Sequence, residues 1–135
     1  MAKQQPYEET TRGIRVAVEP NFLEDQSEPE EGRYVWSYHV TIENRGTIAV
    51  QLLSRFWRIT DGRGRVREVR GDGVIGEQPV IPPGRAFEYT SGAPLETASG
   101  FMTGSYHMRA STGENFEVGI PMFALESPYE EKRVH

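Results

Sequence analysis

The chain has no cysteine in 135 residues, which excludes disulfides, thiolate metal sites and a cysteine nucleophile together. Lysine is almost missing as well: Lys3 and Lys132 are the only two, so no phosphate-binding Gly-Lys-Ser/Thr loop can be assembled between them. Long apolar runs are lacking. Residues 48–50 are typical of the longest, far short of the roughly 20 residues that span a bilayer. The opening MAKQQPYEETTRG has no apolar stretch behind Lys3, so neither a secretory signal nor a transit peptide is expected and a cytoplasmic address follows. Positive charge is in the minority. A net charge of -5 repels a polyanion at long range, which disfavours nucleic acid as the partner.

Helical periodicity is also missing: no window of eleven or more residues sustains a 3.6-residue repeat, and 14 glycines and 9 prolines are spread through the chain. What is present is alternation. Tyr34, Trp36, Tyr38, Val40 and Ile42 recur at every second position, with Ser37, His39, Thr41 and Glu43 between them, the pattern of a half-buried antiparallel strand. Residues 50–60 are rich in β-branched and aromatic types and end at the turn pair Asp61-Gly62. Met102, Gly104, Tyr106 and Met108 alternate again, then Ser111-Thr112-Gly113 turns the chain into Phe116, Val118 and Ile120. Seven to eight short strands in one domain of this size predict an all-β, immunoglobulin-like or fibronectin-III-like sandwich. The expected domain spans residues 12–126, between a flexible N-terminus at 1–11 and a flexible tail at 127–135. Residues 19–32, with six acids and two prolines, are expected to form a long exposed loop.

GDGVIG at residues 71–76 fits the G-x-G-x-x-G spacing of dinucleotide-binding loops. Such a loop works because a buried strand delivers it to a helix N-terminus, whose amides meet the pyrophosphate. Here the preceding RGRVREVR is polar, and EQPVIPPG places three prolines where the helix would run. The glycines are therefore read as shaping a tight crossing between strands, and a nucleotide is disfavoured. A binding loop of Gly71, Asp72, Gly73, Gly76, Glu77 and Gln78 remains a candidate for holding an anion through its amides, with Arg65, Arg67 or Arg70 nearby.

Six of the thirteen arginines fall between residues 55 and 70. Arg63, Arg65 and Arg67 share one face by period two, beside Arg55 and Trp57 if the register allows, and make a candidate partner-binding face. The acidic loop near Glu24 supplies the complementary charge for a possible homodimer. Catalytic residues and a cofactor are not expected. His39 and His107 both fall on the outward phase of their strands, so a metal shared between them and Glu43 would need those strands to be neighbours, and no zinc-type spacing is present. No G-x-S-x-G elbow occurs.

The segments GDGVIGEQPVIPPG, FEYTSGAPLET, GFMTGSYHM and FEVGIPMFAL, with RYVWSYHVTIENRG and VQLLSRFWRITDG upstream, resemble the ApaG family in order and spacing over about residues 13–126. The resemblance implies a fibronectin-III-like sandwich. It further implies a family-level genetic link to cobalt tolerance and magnesium efflux, and gene neighbourhoods that include a diadenosine tetraphosphate hydrolase. The expected role is a non-enzymatic protein-protein interaction module; the alternative is a sensor of a phosphate-bearing nucleotide or divalent cation at the glycine loop.

Overall fold

In the computed structural model, residues 6–129 are described; residues 1–5 and 130–135, expected to be parts of the flexible ends, lie outside them. Nine strands follow in order: β1 (Tyr7–Thr11), β2 (Ile14–Phe22), β3 (Tyr34–Asn44), β4 (Val50–Asp61), β5 (Val66–Asp72), β6 (Val80–Ile81), β7 (Ala86–Leu95), β8 (Gly100–Ala110) and β9 (Asn115–Leu125). They make two antiparallel sheets, β1-β2-β3-β7 and β5-β4-β8-β9, with β6 paired to β4. The all-β sandwich read from alternation is the architecture found.

Alternation explains the core. Trp36, Tyr38, Val40 and Ile42 of β3 and Met102, Tyr106 and Met108 of β8 are buried, with Leu52, Ile120 and Phe123 between the sheets. Each such side chain contributes about 1.5–3 kcal/mol by leaving water. Aromatic edges meet at the centre, where Trp57 lies T-shaped on Tyr38 at 5.2 Å and on Phe123 at 5.9 Å. Buried Asn44 is fully used: its amide nitrogen donates to the carbonyls of Ile48 and Ile81, and its oxygen accepts from the Gly46 N–H.

Three expectations change. The fold begins at Tyr7, because β1 pairs along β2 and the Tyr7 ring meets Phe123; residues 7–11 are thus part of the sheet. The acidic stretch 19–32 is an exposed loop only in part. Its first residues complete β2, Phe22 packs edge-on to Trp36, and the Ser27 hydroxyl donates to Leu23 and accepts from the Val35 N–H. At the other end, Trp36 Nε1 donates to the Glu126 carbonyl, Ser127 Oγ to Ala98, and the Tyr129 hydroxyl to Glu24, so residues 127–129 close over the base of the sandwich.

An arginine-lined cleft and a glycine hairpin

Strand β4 carries one extra residue against β8: Leu52 pairs with Met108 but Ser54 pairs with His107. This bulge at Leu53 moves the inward phase from even to odd positions. Trp57 and Ile59 consequently face the core, and Trp57 is not part of an exposed partner face. Arg55 turns inward with them. It stands opposite Gly71 on one side and Tyr106 on the other, and its Nη1 donates to the carbonyls of Asp72 and Gly73 at 3.0 and 2.9 Å. Beyond it the Tyr89 and Tyr106 hydroxyls hydrogen-bond to each other across the two sheets. Burial holds both phenols well above the ordinary tyrosine range.

The same bulge anchors the glycine segment. The Leu53 carbonyl accepts from the Gly73 N–H and from the Gln78 side-chain amide. Val74 and Glu77 exchange both backbone hydrogen bonds, at 2.8 and 2.9 Å, around Ile75 and Gly76, whose φ angles are 43° and 80°. Positive φ at both central residues is the type I′ hairpin requirement. Val74 is buried as a plug, and the chain leaves as β6. No helix follows, as the prolines dictate; the N–H groups of Val74 and Glu77 donate to each other's carbonyls within the hairpin, and that of Gly73 donates to Leu53 on β4. Asp72 and Glu77 stay exposed, while Gln78 is tied back to Leu53.

Arg63, Arg65 and Arg67 come together elsewhere. The turn after β4 closes through Gly64 N–H to the Asp61 carbonyl, while the Asp61 carboxylate accepts from the N–H groups of Arg63 and Arg65 and pairs with the Arg65 guanidinium at 2.7 Å. Burial alone would raise the Asp61 pKa; those N–H donors and the Arg65 charge outweigh it and hold the carboxyl below its usual value. Gly62 N–H donates to the buried Thr97 hydroxyl, locking the turn onto the connection after β7. The result is a cleft of about 660 Å³ along the open side of the sandwich, between β5 and β7.

Ile59, Leu95 and Pro94 supply its apolar wall, and four arginines, Arg33, Arg63, Arg65 and Arg67, stand against Glu31, Asp61 and Glu96. Arg65 is engaged by Asp61 and, at 3.4 Å, by Glu96. Among the described residues, Arg33, Arg63 and Arg67 have no carboxylate within ion-pair distance. Sequence reasoning missed Arg33 and the β7 side of the cleft, since pairing between sheets leaves no trace in local spacing. Glu31 and Arg33 also show that the acidic stretch ends at this cleft within its own chain, while Glu24 is occupied by Tyr129.

His39 and His107 lie on opposite sheets, on β3 and β8, so they cannot share an ion with Glu43. Both ring nitrogens of each are engaged: His39 with Thr90 and Glu88 at 2.8 Å each, His107 with Glu117 at 3.1 Å and Asn115 at 3.2 Å. The His39 hydrogen bond keeps the Glu88 pKa low. Among the described residues, no three metal-capable side chains cluster and no helix is long and apolar enough to cross a membrane.

A family model described as ApaG domain matches residues 24–110. Protein ApaG of Rhodospirillum centenum is 61% identical over 127 residues, covering 94% of this chain and 98% of the relative. Protein ApaG of Parvibaculum lavamentivorans is 56% identical, covering 96% and 99%. A crystal structure of a protein from Bordetella pertussis, there called ApaA, superposes with a TM-score of 0.84 at 46% identity, covering 93% of this chain and 98% of that one.

Proposed function

The chain belongs to the ApaG domain family, and from that premise we propose that it is a cytoplasmic, non-enzymatic binding module that takes an acidic segment of a protein partner into the cleft between β5 and β7. The single observation behind this reading is the convergence of Arg33, Arg63 and Arg67, none with a carboxylate of its own among the described residues, on a cleft with an apolar wall. Guanidinium groups pair bidentately with carboxylates, and apolar contact beside them gives such pairs a desolvated setting. Among the described residues no aromatic ring lines the cleft, so a nucleobase would find nothing there to stack on, whereas a peptide carrying Asp or Glu next to an aliphatic side chain would meet both features.

The glycine hairpin is not favoured as a nucleotide or cation sensor, because the N–H groups of Gly73, Val74 and Glu77 are taken up by backbone carbonyls and the chain leaves the hairpin as strand β6 rather than as a helix. The family-level link to cobalt tolerance and magnesium efflux would then act through whatever protein the cleft holds. The test is capture of partners from the native host by the wild-type chain and by Arg63→Glu/Arg67→Glu, with thermal melts confirming that both are folded. Loss of specific partners from the variant supports the reading; identical partner sets overturn it. Arg65 is left intact, since its pairing with Asp61 holds the turn.

A further inference from the structure

We infer that the free edge of β5 pairs with the same strand of a second copy, joining two sandwiches into a continuous antiparallel sheet about a two-fold axis at Val69. The backbone shows which groups are available. Asp61 N–H donates to Arg65 and Gly73 N–H to Leu53, and the register between β4 and β5 is unbroken. In an antiparallel ladder the bonded positions alternate, so the odd-numbered residues of β5 bond β4. The N–H and C=O groups of Val66, Glu68 and Arg70 therefore point away, at the edge of the sheet, as does the Asp72 N–H, while the Asp72 carbonyl there already accepts from Arg55.

Charge then selects the register. A two-fold at residue 68 sets Glu68 against Glu68. One at residue 70 sets Arg70 against Arg70 and Glu68 against Asp72. A two-fold at residue 71 sets Arg70 against Asp72 but pairs only residues 70–72 of the strand, whereas the two-fold at Val69 pairs all of β5 and places Glu68 of each copy opposite Arg70 of the other, twice over, with Val66 facing Asp72 and Val69 meeting itself. Opposite charges directly across a ladder stabilise it and like charges oppose it. Both side chains are free to re-pair: Glu68 lies 3.9 Å from Arg58, and Arg70 rests over the Phe56 ring at 4.3 Å, both at exposed positions where such contacts are weak.

The other described edges are blunted. β1 carries Glu8 and Glu9 on five residues, β7 contains Pro94 and β9 contains Pro121, devices that discourage edge pairing. This surface adjoins the cleft, whose lining includes Val66 and Arg67 of the same strand but neither Glu68 nor Arg70.

The experiment is sedimentation equilibrium of the purified full chain. The wild type is expected to show concentration-dependent dimerisation. Glu68→Arg alone and Arg70→Glu alone each weaken it at least about tenfold; mixing the two single variants restores a heterodimer, and Glu68→Arg/Arg70→Glu restores the homodimer. Glu68→Pro removes an outward N–H but no bond to β4, so it abolishes the dimer while the far-ultraviolet spectrum stays that of the folded chain. A wild type that is monomeric up to about 1 mM overturns the proposal. A dimer indifferent to both charge reversals overturns it too.

Discussion

The guanidinium of Arg55 occupies the space a side chain at Gly71 would need: a β-carbon there would lie 2.8 Å from both terminal nitrogens. Glycine at 71 lets Arg55 reach across β5 to the carbonyls of Asp72 and Gly73. Gly71→Ala pushes out the far end of a flexible side chain, so the loss is those charged hydrogen bonds, about 1.5–3 kcal/mol. Arg55→Ala costs a similar amount, and the double variant little more than either alone. Urea denaturation of the four proteins measures this; fully additive losses would show that the two residues are not coupled.

Gly73 and Ile75 make opposite predictions within one hairpin. Gly73 has φ 61°, and a β-carbon there would run into the Glu77 carbonyl, so both conformation and backbone contact oppose a side chain. Gly73→Ala is expected to destabilise by more than about 2 kcal/mol. Ile75 is 57% exposed with φ 43°, a β-branched residue in the left-handed region. Ile75→Asn relieves this and stabilises by about 1 kcal/mol. Thermal melts of both variants decide; a less stable Ile75→Asn would count against the strain.

The hydroxyl pair of Tyr89 and Tyr106 predicts a non-additive series. Tyr106→Phe strands a buried hydroxyl on Tyr89 and costs about 1–3 kcal/mol, much of which Tyr89→Phe/Tyr106→Phe recovers. Burial raises the pKa of both phenols, and of Tyr38. The folded state therefore keeps protons that the unfolded chain releases above about pH 10, and stability falls as pH rises past that point. Ultraviolet titration should show these three tyrosines ionising only with unfolding.

Asp61 sets an acid limit. Its folded pKa lies below its ordinary value, so its carboxylate contributes fully above the unfolded pKa of about 3.9, and the contribution disappears as pH falls through the lower folded value. Asp61→Asn should be less stable at neutral pH, with the difference shrinking toward pH 2. Chemical denaturation at several pH values checks this, and a constant difference would exclude the carboxylate as its source.

The strands, the sandwich, the family and the absence of a helix after GDGVIG were legible in the residues because each rests on local chemistry. Period-two alternation has one structural meaning, and Pro79, Pro82 and Pro83 bar a helix whatever surrounds them. The arginine face was legible only in part. Arg63, Arg65 and Arg67 do share a cleft, but Arg55 and Trp57 turned inward, and Arg33 joined from the segment that leads into β3.

That division has one cause. The amino-acid order alone determined which segments extend and which turn, since backbone sterics and burial period act within a few residues. Tertiary structure decided which way β4 faces: the extra residue at Leu53 exists only through pairing with β8, and a shift of one residue exchanges inside for outside along everything that follows.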